Sequence, residues 1–400
     1  MPMICVQRNA ILFLLLVLVA SSYSQTRAQV HPAGKFVEVT NTLDTPQAEA
    51  VVELTLAEVL SQTGIKDAKL IAVEDETTHQ FLPVQLYSGT GGASPDRLLI
   101  LVNVAPRQKI QLGFSQSTQP DPMKPLVFGR LVPERKDDFA WENDKVAYRV
   151  YGPALEAGGE ITSGIDVWSK RVAALVINDW YKRDADGART KNPALSYHKD
   201  DGTGLDSYDV GKTRGCGGTA VWSNGKLYVS RNFTTAKILA SGPIRFSFEL
   251  EYAPWNADGT SISEKKIITL DAGSHMNKIQ STFTFSGAQP VKIAAGVATH
   301  MGARISNPLE GRILSVWEPL TDPGAGDDGT AIVAPLGSEA AIVKAEGNAF
   351  FVFNASAGKP LTYYAGAGWS KSDIPTQKAW NDYLRAFSLG EEHPLEIHWK

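Results

Sequence analysis

Tyr197 and His198 open the stretch 196–222 (SYHKDDGTGLDSYDVGKTRGCGGTAVW), and Arg214 stands near its end. A base, a phenol and a guanidinium suit one kind of chemistry, removal of a proton next to a carboxylate. That C–H bond is weakly acidic until the carboxylate charge is offset. A guanidinium offsets it through two parallel hydrogen bonds. Histidine and tyrosine can then trade the protons. Arg231 offers a second cation, and His275 or Tyr208 could protonate the departing oxygen. Lys212 is a further substrate-binding candidate. Glycines at 202, 204, 211, 215, 217 and 218 weaken helix and strand alike. The stretch therefore reads as a loop held from outside itself, and long loops of this kind are often functional.

Competing chemistries leave weaker marks. Gly211-Lys212-Thr213 lacks the upstream glycine of a phosphate-binding loop, because Asp206 occupies that place. No GxSxG elbow occurs. The histidines are scattered, so a zinc site would need His198, His275 and His300 to converge through the fold. Asp200, Asp206 and Asp209 could offer oxygen ligands to Ca²⁺, or could simply cap turns. The working expectation is chemistry without a cofactor, with Ca²⁺ or Zn²⁺ as open alternatives. Cys216 sits between two glycines and reads as a small buried residue rather than a nucleophile.

The elements that would position these groups are strands. Segment 139–151 (FAWENDKVAYRVY) alternates, with Val146, Tyr148 and Val150 on one face and Lys145, Ala147, Arg149 and Tyr151 on the other. Asn224-Gly225 between 220–223 and 226–229 predicts a tight hairpin that anchors the end of the loop. Segment 245–252 (RFSFELEY) is two-faced, with Phe246, Phe248, Leu250 and Tyr252 toward a core. His275 falls at the start of a strand over 276–285, and Asp184-Ala185-Asp186-Gly187 reads as a turn. One amphipathic helix is predicted over 375–387, with Gly390 past its end. Trp141, Trp168, Trp180 and Trp222 could supply stacking faces for sugars.

The class is all-β. A smaller N-terminal β-sandwich over 30–116, a proline-rich linker over 117–127 and a large β-sandwich over 128–400 are expected. The large unit could be a supersandwich of the mutarotase kind. Residues 1–28 carry Arg8, an apolar run over 10–20 and small residues before Gln25 or Gln29, which reads as a cleaved signal peptide. Export to the periplasm or beyond is thus expected, with no membrane span afterwards. Losing that leader leaves Cys216 without a disulfide partner, since Cys5 goes with it. The formal charge of −4 argues against nucleic acid as a partner.

Three segments, 141–155 (WENDKVAYRVYGPAL), 197–218 (YHKDDGTGLDSYDVGKTRGCGG) and 270–279 (LDAGSHMNKI), resemble the exported bacterial proteins grouped as domain of unknown function 4861. The resemblance covers essentially the whole chain after the leader. It implies a β-rich fold and a place among polysaccharide-degrading systems. It also implies an oligosaccharide dehydratase activity of the kind used on ulvan, in which a uronic acid at the non-reducing end loses water to become a 4,5-unsaturated sugar. The resulting expectation is a carbon–oxygen lyase acting on an anionic oligosaccharide. A polysaccharide lyase, a non-catalytic carbohydrate-binding protein and a sugar epimerase or mutarotase are the alternatives.

Overall fold

The computed structural model describes residues 35–89, 91–92, 94–118, 123–338 and 340–400. The expected signal peptide, Cys5 and the centre of the expected linker lie outside the described residues. Antiparallel strands make up most of the rest, so the all-β reading is correct.

Near the N-terminus, Phe36–Thr40, Lys109–Gln116, Ile71–Asp75 and Gln80–Leu82 form one sheet, and Gln47–Thr55, Arg97–Val104 and Val84–Tyr87 form another. Alternate residues such as Val37, Val39, Ile71, Val73, Leu98, Ile100 and Leu112 bury a shared core between them. The outer edge of the first sheet is completed from the other end of the chain. Glu396–Trp399 pairs antiparallel with Phe36–Thr40, and Trp399 meets Phe114 at 5.3 Å between ring centres.

Three further sheets share a second, larger core. The largest is ordered Thr235–Ser241, Arg245–Ala257, Thr260–Asp271, Met276–Thr284, Pro360–Trp369, Asp327–Val333, Ile313–Pro319, Arg304–Ser306. The expected inward residues Phe246, Phe248, Leu250 and Tyr252 are all buried there. A five-stranded sheet is centred on Val291–Ala298, flanked by Cys216–Ser223 and Asn348–Ala355. The Asn224-Gly225 turn closes its hairpin with φ of 49° and 74°, the left-handed values a two-residue turn requires. The third sheet, which carries the candidate site, runs Gly204–Leu205, Asp166–Lys170, Val146–Val150, Asp138–Asn143, Val127–Val132.

Two helices depart from expectation. Gln377–Glu392 runs through Gly390 instead of ending before it, with Thr376 capping Ala379 N–H and Trp380 and Leu384 buried. Ile177–Thr190 continues through Asp184–Gly187, where a turn was expected. Its cap comes from far back in the chain: the Glu142 carboxylate accepts Val176 N–H at 2.9 Å and Ile177 N–H at 2.8 Å. A carboxylate there satisfies free N–H groups and the helix dipole together. Gly187 is tolerated because the 192–195 turn lies on it; an added Cβ would meet Asn192 O at 2.9 Å.

Candidate functional site

The site grows from the outward face of the Val146–Val150 strand. Arg149 stands opposite Asp166 on the neighbouring strand, and their side chains meet. Asp166 Oδ2 accepts from Arg149 Nε at 2.9 Å and from Nη2 at 2.5 Å. Nη2 also donates to Asp206 Oδ2 at 2.9 Å, and Nη1 donates to Tyr197 Oη at 3.2 Å. The rings of Tyr151 and Trp168 each lie 5.1 Å from the guanidinium carbon. A buried cation demands such partners, since an isolated one would cost far more than the fold could bear.

The acids around Arg149 outnumber it. Asp138 is 3.8 Å away, and Asp138, Asp166 and Asp206 are all buried. Burial pushes the Asp138 carboxyl up to about 6, against the pull of Arg149. Burial, with Asp166 beside it, drives Asp206 well above the usual carboxylate range. The cluster is therefore an ion-pair network whose carboxyls hold a proton more tightly than exposed ones do.

Asp206 carries this network to the surface. Its N–H bonds Tyr197 O at 2.9 Å, and its own main-chain oxygen lies 2.9 Å from His198 Nδ1. A carbonyl only accepts, so Nδ1 carries the proton in the neutral ring and Nε2 keeps its lone pair. His198 is exposed and lines a cleft of about 640 Å³. Arg149, Tyr151 and the segment 206–212 form the cleft with it, and Gly159–Thr162 and Thr321–Asp322 close the sides. Lys212 lines it too, and its ammonium has no ion pair among the described residues. Burial holds the Tyr151 phenol well above its ordinary value, so it stays protonated and cannot serve as the base.

His198 and Lys212 thus both line the cleft, and Tyr197 lies beneath it. Tyr197 is buried, stacked on Trp168 at 4.9 Å, and its hydroxyl faces Arg149 and Arg135. Of the other proposed catalytic groups, Arg214 and His275 lie elsewhere. Arg214 is a buried staple: it donates to Ser163 Oγ at 2.9 Å, Thr219 O and Lys212 O. Burial lowers its pKa to about 10, and its Nε has no partner among the described residues. His275 is buried under the long C-terminal helix, with Nδ1 near Ala367 O at 2.9 Å and Nε2 near Asp373 at 3.2 Å. Tyr208 lines the cleft, but its buried hydroxyl feels Cys216, Glu318 and Asp328, none of which lines the cleft. Arg231 is exposed and paired with Glu156 at 2.6 Å, outside the cleft lining.

Trp141, Trp168 and Trp180 are core residues whose indole N–H groups bond Asn277, Asp166 and Thr203. Trp222 packs on Phe350, away from the cleft. None of the four offers a stacking face there. Asp200, Asp206 and Asp209 do not form one ligand set: Asp200 pairs with Arg171 and Asp206 with Arg149, while Asp209 lines the cleft without an ion pair among the described residues. Among the described residues no three His, Cys, Asp or Glu side chains are arranged to hold a metal ion, the His198, His275 and His300 set included. The residues missed by sequence reasoning are Arg149, Tyr151 and Asp166. The alternation of 145–151 already put Arg149 and Tyr151 on one face, which was the available signal.

The family model described as domain of unknown function (DUF4861) matches residues 39–397. A protein from Formosa agariphila named "Uncharacterized protein P7" is 33% identical over 379 residues, covering 91% of this chain and 93% of that one. Among solved structures, an alpha-mannosidase from Enterococcus faecalis V583 aligns with 92% of this chain at a TM-score of 0.48 and 9% identity. A glycosyl hydrolase family 38 protein from Enterococcus faecalis aligns at 0.47 and 9%. The chain spans 46% and 47% of those two structures, just under half of each.

Proposed function

This chain belongs to the DUF4861 family, and on that premise we propose that it is a carbon–oxygen lyase acting on uronic-acid-containing oligosaccharides. The reaction is loss of water from a terminal uronate, giving a 4,5-unsaturated sugar. The observation that carries this reading is His198: a ring with Nδ1 tied to a carbonyl, Nε2 left as a base, at the mouth of a sugar-sized cleft. Lys212 takes the place first assigned to Arg214, setting its free ammonium against the uronate carboxylate. His198 Nε2 removes the C5 proton. The C5–H electrons form the C4=C5 double bond as the C4–O bond breaks. The Tyr151 phenol, kept protonated by burial, supplies the proton that lets the oxygen leave as water. If the oxygen carries a sugar, the same steps make the protein a polysaccharide lyase. The signal peptide expected over 1–28 would place this activity outside the cytoplasm.

The unsaturated uronate absorbs in the ultraviolet. Incubation with a panel of saturated uronate oligosaccharides should raise that absorbance. Mass loss equal to one water marks the dehydratase, and chain cleavage marks the lyase. A second reading has its own observation. Glu160 and Asp209 share the cleft with Lys212, and Asp322 there is paired with Lys199, so acids without an ion pair among the described residues outnumber such cations in the cleft. That balance favours a neutral glycan held without turnover. Calorimetry showing binding of neutral glycans, with product analysis showing them unchanged, would support it.

A further inference from the structure

The cleft wall 206–212 is pinned by two histidines, at carbonyls three residues apart. His198 Nδ1 holds the carbonyl of Asp206, and His300 Nε2 lies 2.7 Å from the carbonyl of Asp209. His300 comes from the far side of the sequence, just beyond the Val291–Ala298 strand. It does not line the cleft. Its other nitrogen, Nδ1, lies 2.7 Å from Glu318 Oε1 on the Ile313–Pro319 strand, and Glu318 Oε2 accepts its main-chain N–H at 2.8 Å. Tyr208 packs edge-on against the ring at 5.6 Å. Glu318 and Asp209 are the charged groups that face this imidazole.

The geometry leaves one comfortable protonation state. A carbonyl and a carboxylate both accept. A ring between them meets both only as an imidazolium donating from each nitrogen. A neutral ring would set a lone pair against an oxygen lone pair at 2.7 Å, either at Asp209 or at Glu318. A carboxylate holds an N–H more strongly than a carbonyl does, so the one remaining proton stays on Nδ1 facing Glu318, and the Asp209 carbonyl loses its bond. The hydrogen bond to Glu318 is the main cause that raises the imidazole pKa, outweighing burial, which agrees with this geometry.

We propose that His300 is a positioning residue for the cleft: its charged ring clamps the wall that carries Asp209 and Lys212, and loss of the proton releases that wall. This regulation rests on the reading of the cleft as the active site, but the clamp itself is a structural claim. Its consequence for turnover is specific. Releasing the wall displaces Lys212, the carboxylate contact, and leaves the His198 bond to Asp206 in place. The Michaelis constant should therefore rise with pH through the titration of His300, with less change in kcat.

The test needs no substrate at its first stage. In the full chain labelled with ¹⁵N, the side-chain resonances of His300 should show both nitrogens protonated at about pH 7. Amide exchange of the segment 206–212, corrected for intrinsic rates, should accelerate between about pH 6 and about pH 9 with the same midpoint. His300→Gln keeps a donor for Asp209 but cannot titrate, so its segment should hold the same protection across that range. A neutral His300 at about pH 7, or exchange of 206–212 that ignores its titration, overturns the proposal even if no variant folds. If the clamp titrates as described while no uronate oligosaccharide yields an unsaturated product, the clamp stands and the lyase reading falls.

Discussion

At the scale of single residues, the account rests on which side chains are free. Lys212 is exposed and unpaired among the described residues, so Lys212→Ala should leave folding untouched. We expect KM for uronate oligosaccharides to rise about tenfold, the worth of about 1.4 kcal/mol of carboxylate contact, with kcat nearly unchanged. Steady-state kinetics of the purified variant checks this; an unaltered KM would remove Lys212 from the site. Asp328 makes a different prediction. It is buried, both its oxygens lie within hydrogen-bond distance of Ser169 Oγ, at 3.1 and 3.0 Å, and burial drives its pKa up to about 8. The folded state thus holds a proton that the unfolded chain releases near the ordinary aspartate value of 3.8. Stability is greatest below that value and falls as pH climbs toward about 8, by at most about 1.4 kcal/mol per pH unit. Asp328→Asn removes this contribution. Denaturation midpoints measured between pH 4 and pH 8 should fall less steeply for the variant, and parallel curves would contradict the assignment.

At the scale of elements, the same logic explains what the sequence could and could not disclose. Local rules did well where the partner is local. Asn224-Gly225 announces its hairpin because both left-handed positions are adjacent, and 245–252 announces its buried face because alternation is a two-residue rule. They failed where a partner lies far along the chain. The helix Ile177–Thr190 shows no side-chain cap in its own vicinity, because Glu142 caps it from 35 residues upstream. Arg214 looked like a substrate cation because a polar residue among glycines suggests a surface. The chain instead turns inward at Gly215, whose φ of 57° and close approach to Ile165 exclude a side chain, and carries Arg214 into the core. Glu142 offers the test at this scale. It joins the helix to two strands, since Lys170 Nζ also bonds it at 2.6 Å within a buried pair. Glu142→Ala should cost about 3–5 kcal/mol in urea denaturation, because it strands a buried ammonium and uncaps the helix at once. A loss below about 1 kcal/mol would mean the pair is not holding these elements together.

At the scale of the whole molecule, the two ends of the described chain meet in one sheet. Leu395, Ile397 and Trp399 pack on the core of the N-terminal strands, so those strands depend on the last residues of the chain. Deleting 395–400 should speed amide exchange across 36–40 and 109–116 and leave 196–212 protected. Equal loss of protection everywhere would mean that the N-terminal sheets and the cleft-bearing sheets unfold as one unit. The cleft lies with the large core, beside a sheet whose strands follow chain order, but Tyr197 and Asp206 reach Arg149 from outside its strands, across 48 and 57 residues of chain. That is why the chemistry-bearing residues could be found in the sequence one stretch at a time, while their convergence on Arg149 could not. The central claim is that His198 is the base of an elimination reaction. Its most direct test is ultraviolet absorbance of the purified protein with saturated uronate oligosaccharides. The account predicts a steady rise with the native protein and a rate at least about a hundredfold lower for a folded His198→Ala. No rise with any uronate oligosaccharide, or an undiminished rate in the variant, would contradict it.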